Sequence, residues 1–428
     1  MTLDLSTAAA AVVDDPDPHD PVAATLEALR RRLIADRPTN IGFPSTFDFD
    51  YTELYPFFGL LMNNVGDPYT PSAFPANCKE LERDVVEWAA DLLHAPAEDR
   101  WGYVTTGGSE GNLYALHLAR NVLPRAVVYY ADSAHYSIDK AIQLLDMTSV
   151  RIRADQWGQI DYDDLTTQID RRRDRPAIVV ATIGTTMTEA VNDVRRINAI
   201  LDDLAVRERF VHADAALSGL TLGTIAPDGR PGFDLGDGAD SIAVSGHKFL
   251  GSPFPCGVVI VKASHRNRIA RNVSYLASPD ATITGSRSGH GALVMWYAIQ
   301  RWGIVGLRER AENARLVAAY AKQRLDDIGW PSFRHEHALT VVLKAPPEQV
   351  KRKWTLATEG EWSHLITMPG VTRHTVDALI EDIVDATAHA EHGPAIRAIP
   401  NPRTNGHVVT PNPTVRATPY TGTAQVSA

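Results

Sequence analysis

Apolar side chains recur along this chain in two different periods. In KELERDVVEWAADLLH, Leu81, Val85, Trp88 and Leu92 fall at helical spacing and predict a helix with one apolar face. Asp20-Pro21 offers a helix start before VAATLEALRRRL, with Asp as the cap and Pro at the first helical position. Short β-branched runs then alternate with helical stretches: AVVYYA (126–131), SVRIRA (149–154), AIVVATIG (177–184), FVHADAA (210–216), SIAVSG (241–246) and GVVIVKA (257–263). Several are apolar almost throughout, as strands covered on both faces are. The alternation predicts an α/β domain around a largely parallel sheet.

From about residue 305 the pattern changes. A long helical stretch, LRERAENARLVAAYAKQRLDDIG, precedes an isolated strand, LTVVLKA, then a short apolar run, SHLITMPG, and a last helix, TVDALIEDIVDAT. This predicts a smaller C-terminal α+β domain over 305–392, behind a large domain over 76–304 and an N-terminal helical and extended segment over 21–75. Residues 1–20 and 393–428 show no period and few large apolar side chains, and are expected to be disordered tails.

Composition narrows the class. The 428 residues carry 52 acidic and 42 basic side chains, a formal charge of −10, which argues against a nucleic-acid partner. No apolar run reaches the ~20 residues that span a bilayer, so no membrane partner is expected. The N-terminus has no basic segment ahead of its short apolar stretch, so no signal peptide is expected. Only Cys78 and Cys256 occur, which suggests a reducing compartment. A cytoplasmic enzyme is the expectation.

Four places can carry chemistry. In TTGGSEGN (105–112), a Gly-rich turn running into a helix aims backbone N–H groups and the helix dipole at one spot, where an anion is welcome. The P-loop Lys-Ser/Thr and the dinucleotide spacing are missing, so a single phosphate fits better; the plain alternative is a turn with Ser109 as helix cap. Lys248 follows the strand SIAVSG, where desolvation would make its amine a better nucleophile, unless it snorkels to solvent. Asp214 ends an apolar run, where α/β sheets place their ligand crevice; its partner is a protonated cofactor ring or an Arg of the core. His135 follows AVVYYA and is either a ring-stacking group or an ordinary loop residue. Phosphate cup, stacking aromatic, buried carboxylate and Lys, each after a predicted strand, make the inventory that pyridoxal phosphate needs. No zinc-ligand spacing, H-E-x-x-H or G-x-S-x-G competes for these residues, and no metal is expected.

Several longer segments carry a resemblance: NIGFPSTFDFDY, NNVGDPY, WGYVTTGGSEGNLYALHLAR, AHYSIDKA, GQIDYDDL, IGTTMTEAVNDV, HADAALSG, VSGHKFLGSPFPCGV and YLASPDATITGSRSGH. In order and spacing they resemble the pyridoxal-phosphate-dependent group II amino-acid decarboxylases, nearest to the bacterial histidine and plant serine enzymes, from about Asn40 to Ile383. The resemblance implies a type I aminotransferase-like fold and an obligate homodimer with the active site between subunits. It implies that Lys248 holds the coenzyme's aldehyde, that Asp214 pairs with the pyridine nitrogen, and that Ala216 and His135 cover the two ring faces. It further implies Gly108, Ser109, Ser245 and His247 at the phosphate, Thr185 at the ring's edge, and Gly285–His290 near the partner's phosphate. Phe43 and Asn63-Asn64 are expected to line the side-chain pocket. Animal relatives place a Tyr on a mobile loop to support protonation; QRWGIVGLRER sets Trp302 there, with His135 as a second possible donor. The activity implied is decarboxylation of an L-amino acid, first histidine to histamine and carbon dioxide. Serine, valine or methionine as substrate, and oxygen-dependent conversion to an aldehyde, are the alternatives.

Overall fold

The computed structural model of the chain describes residues 20–388; the two expected tails lie outside them, apart from Asp20. Asp20 does cap the first helix, α1 (Pro21–Asp36), its Oδ1 accepting from Val22 N at 2.8 Å. Helix α2 (Lys79–Leu92) forms where its periodicity predicts. Its most buried face runs through Glu82, Val85, Val86, Ala89 and Ala90, so of the four predicted positions only Val85 is fully buried. The face is turned because Glu82 is drawn inward to the Arg287 guanidinium.

Seven strands build the central sheet: β1 (Trp101–Thr105), β2 (Val127–Ala131), β3 (Ser149–Ile152), β4 (Ala177–Thr182), β5 (Arg209–Asp214), β6 (Ser241–Ser245) and β7 (Gly257–Val261). Their order is β1-β7-β6-β5-β4-β2-β3, and only β7 runs against its neighbours. Six of the seven answer to the apolar runs of the sequence. β1 is not among the apolar runs, because Trp, Gly and Tyr do not make a β-branched one; only the reading of the phosphate cup as following a strand points to it. β4 and β6 are buried at every position, as strands covered on both faces are. Each fully buried Val or Ile there contributes roughly 1.5–3 kcal/mol through apolar area removed from water.

After a small hairpin of β8 (Arg271–Val273) and β9 (Ser278–Asp280), the 39-residue helix Gly289–Asp327 begins. It is broken at Gly303 (φ 56°, ψ −178°), a conformation in which Gly has no side chain to strain. The C-terminal region then forms an antiparallel sheet of β10 (Ser332–Phe333), β11 (Thr340–Lys344), β12 (Ala357–Glu359) and β13 (Trp362–Ile366), in the order β10-β11-β13-β12. The strand expected to be isolated, LTVVLKA, is therefore paired on both sides, by β10 and β13. The last helix, Arg373–Ala388, packs Val376, Leu379, Ile380 and Ile383 into the same small core.

Candidate active site

β1 and β6 end at the same edge of the sheet, and the residues singled out in the sequence gather there. Helix α3 (Gly108–Val122) starts directly after β1, with Gly107 as its cap and no side-chain cap bond. Ser109 is thus inside the first turn and does not cap the helix, and the leading backbone N–H groups keep their free valence for an anion. The turn is shaped from behind by Glu110, whose carboxylate accepts from Thr106 N and Thr106 Oγ1, each at 2.7 Å, and from the Tyr103 hydroxyl at 2.9 Å.

Gly108 is the point of closest approach. A Cβ built on it would lie 2.9 Å from the Ala216 methyl and 3.0 Å from Ser245 Oγ. Gly108 at the start of α3, Ala216 in the turn after β5 and Ser245 at the end of β6, which the sequence assigns to one small ligand, therefore lie against one another. His247 completes the cradle: its Cε1 lies 3.5 Å from where a Cβ on Gly107 would be, and its Nδ1 lies 3.0 Å from the Cys256 carbonyl.

Lys248 sits in the loop joining β6 to β7. That loop is closed at its base by Gly246 N donating to Cys256 O at 2.8 Å. Among the described residues nothing hydrogen-bonds to the Lys248 ammonium. Burial pushes its pKa down, while the Asp214 and Glu189 carboxylates hold it up. An amine without a partner, desolvated and poised toward its neutral form, is what Schiff-base chemistry needs. Asp214 ends β5, paired in register with Thr182 of β4 and Ala243 of β6. It is 4% exposed; Oδ2 accepts from Asn112 Nδ2 at 2.9 Å, while Oδ1 has only a 3.4 Å contact from Ala216 N. Among the described residues no Arg pairs with it, so the alternative of a core Arg for Asp214 falls away. His135 caps helix α4 (Tyr136–Leu144), with Nδ1 against Ser137 Oγ at 2.8 Å and Ser137 N at 3.3 Å. Burial lowers its pKa below that of free histidine, Asp214 raises it, and Lys248 and Lys140 lower it.

Thr185 lies in the turn after β4. Its hydroxyl is used locally, meeting Thr188 Oγ1 at 2.8 Å and accepting from Ala190 N at 3.0 Å. The same turn carries Glu189, fully buried, which accepts from Ser218 Oγ (2.9 Å), Leu339 N (2.9 Å), Thr340 N (2.7 Å) and Thr340 Oγ1 (2.6 Å). This carboxylate ties the turn to β11, and it carried no signal in the sequence. Asn112, Ser137, His212 and Ser241 also went unremarked. Period-2 reading of FVHADAA would have placed His212 on the face of Asp214, and Asn112 lies one helical turn beyond Gly108.

One expectation is corrected, and others find their place in the fold. Trp302 is not on a loop: it belongs to the helix Gly289–Asp327, just ahead of the Gly303 break. Its ring lies 5.4 Å from that of Phe49, with the Arg310 guanidinium 4.1 Å above it. Asn64 is buried and its amide is used within the fold. It donates to Glu82 Oε2 and accepts from Cys78 N, both at 2.9 Å. Phe43 is 54% exposed and borders a surface hollow with Lys351, Thr355 and Leu356. Within Gly285–His290, Arg287 turns inward to Glu82 and donates to Gly66 O at 2.7 Å.

A Gly-rich helix start with open N–H groups, a buried carboxylate with one weakly engaged oxygen and an unpartnered lysine at the edge of a mostly parallel sheet fit the needs of a pyridoxal-phosphate enzyme. Residues 60–342 match the model of the pyridoxal-dependent decarboxylase conserved domain, and the chain belongs to that family of carboxy-lyases. It is 44% identical over 343 residues to a histidine decarboxylase of Mesorhizobium japonicum, covering 80% of this chain and 92% of that one. It is 41% identical over 348 residues to one of Vibrio campbellii, covering 81% and 90%. Among solved structures, L-methionine decarboxylase of Streptomyces sp. 590 superposes with a TM-score of 0.80 at 25% identity, covering 86% of this chain and 95% of that one. The chain is thus a pyridoxal-phosphate-dependent amino-acid decarboxylase. No described helix is long and apolar enough to cross a membrane.

Proposed function

We propose that this enzyme decarboxylates L-histidine to histamine and carbon dioxide, as a cytoplasmic homodimer. The observation that carries the substrate assignment is the run of relatives named histidine decarboxylase at 37–44% identity over 80% or more of the chain. When bound, pyridoxal 5'-phosphate supplies an aldehyde for the substrate's amino group and a ring that accepts the electron pair left by the departing carboxylate.

The chain's own residues do the rest. Gly108, Ser109, Ser245 and His247 hold the phosphate. Lys248 Nζ, buried and without a hydrogen-bond partner among the described residues, would hold the coenzyme through its aldehyde and could take up or return a proton beside the substrate's amine. Asp214 Oδ1 keeps the ring nitrogen protonated, which maintains the pull on electrons. Ala216 packs on one ring face and His135 covers the other, shielding the reacting carbon from water. Thr185 shapes the edge of the site through its turn. The choice of carbon dioxide loss over the other bonds of Cα would come from how these residues orient the substrate's carboxylate.

The homodimer is supported by helix α1, which has no buried residue. Val22, Leu26, Leu29 and Leu33 recur at spacings of four, three and four and are 41–64% exposed. A stripe of that period on a lone helix fits a second copy of the chain better than it fits water.

Incubating the purified enzyme with the twenty amino acids tests the substrate. The expected result is histamine, identified by mass spectrometry, with one carbon dioxide released for each. Strong turnover of methionine or another amino acid without histamine would overturn the assignment.

A further inference from the structure

We propose that Asn112 is a positioning residue that fixes the Asp214 carboxylate and, through Ser137, the proton of His135, in a single arrangement. The inference rests on the roles given above to Asp214 and His135. The five groups involved belong to four elements: α3, α4, β5 and β6. Asn112, Ser137, His212, Asp214 and Ser241 are all at most 4% exposed, so every polar atom must find its partner within the protein.

Counting donors leaves one solution. Asn112 Nδ2 lies 2.9 Å from Asp214 Oδ2 and 2.9 Å from Ser137 Oγ. Turned the other way, the amide would press its carbonyl oxygen onto a carboxylate, so Asp214 sets the orientation. Asn112 Oδ1 then faces His212 Nε2 at 3.0 Å and can only accept, so Nε2 carries the proton. Complete burial holds the His212 pKa down at about 4, so the ring is neutral and its Nδ1 is bare. Nδ1 accepts from Ser241 Oγ at 2.8 Å.

The other arm follows in the same way. Both hydrogens of Asn112 Nδ2 are used, one on Asp214 and one on Ser137. Ser137 Oγ therefore accepts, and its own proton points to His135 Nδ1 at 2.8 Å. Ser137 N points at the same nitrogen from 3.3 Å. With two donors aimed at it, Nδ1 has no proton, and neutral His135 carries its proton on Nε2. One amide thus sets the hydrogen-bonding of both the group assigned to the ring nitrogen and the group assigned to one ring face.

The test labels histidine with 15N and reads the ring tautomers by long-range 1H–15N spectra, in the protein as purified and after added pyridoxal phosphate. Wild type should show Nε2–H for both His135 and His212; an Nδ1–H ring at either position overturns the proposal without any variant. Asn112→Leu should give a mixture of His135 tautomers. It should also raise the coenzyme Kd by about 10- to 100-fold, the worth of one hydrogen bond to a charged group. A variant that keeps pure Nε2–H at His135 and a Kd within about twofold of wild type would overturn it too. If wild type shows the expected tautomers but stays colourless with added coenzyme, the functional assignment fails while the polar network stands.

Discussion

Arg287 can be asked which of two places it serves. The family resemblance brings its segment toward a partner's phosphate; the fold buries it against Glu82. Its side chain is 3% exposed and that of Glu82 is 0% exposed. Truncation by Arg287→Ala would leave the Glu82 carboxylate with two neutral donors, Val104 N and Asn64 Nδ2, each at 2.9 Å. It would also strip Gly66 O of its donor and the Tyr103 ring of the guanidinium 5.3 Å away. Breaking a buried pair by removing one partner costs about 3–5 kcal/mol. Removing both charges is gentler, so Glu82→Gln with Arg287→Ala should be less destabilising than the sum of the single changes, with a coupling of about 1–3 kcal/mol. Urea unfolding followed by tryptophan fluorescence at one fixed protein concentration measures all four corners of the cycle. Coenzyme affinity, measured by absorbance titration on the folded variants, should change little. Wild-type stability in Arg287→Ala together with a large loss of coenzyme affinity would refute the inward role.

Three further outcomes are expected. Lys248→Ala should abolish both turnover and the covalent attachment of coenzyme by borohydride, which in wild type should label a peptide containing residue 248. Burial depresses the folded pKa of His212 from 6.5 to about 4, so the unfolded chain binds more protons between those values, and stability falls as the pH drops through that window. The loss should approach about 3 kcal/mol by pH 4, and the difference in unfolding free energy between wild type and His212→Gln, read from urea unfolding, should change by that amount between pH 7 and pH 4. Leu26→Asp with Leu33→Asp should convert a dimer to a monomer in light scattering, whereas an unchanged mass would remove α1 from the interface.

The elements that period alone could reveal were legible because burial on both faces leaves an apolar run, as in AIVVATIG and SIAVSG. β1 escaped because its ladder is filled by Trp101, Gly102 and Tyr103, which fit a sheet without announcing one. Gly108, Ala216 and Ser245 could be assigned to one ligand from motif and order, yet their mutual contact is a property of the sheet that no linear spacing expresses. Trp302 was set on a loop by the family resemblance alone, whereas a single positive φ at Gly303 absorbs the bend and the helix resumes. Glu189 and Asn112 were silent for a further reason. A buried carboxylate or amide looks like a surface one until the donors around it, here from β11 and from α4, are brought up by tertiary folding.

The reversed direction of β7 has a metric consequence. It lies between β1 and β6, so the turn that leads into Gly108 and the loop that carries Lys248 leave from strands two ladder steps apart, about 10 Å. That gap is a gauge cut in main-chain amides, indifferent to which side chains decorate the rungs. Drift among Val, Ile and Ala on these strands leaves it unaltered. A slip of β7 by one residue would turn its side chains to the opposite face and carry both ends of the gauge out of true.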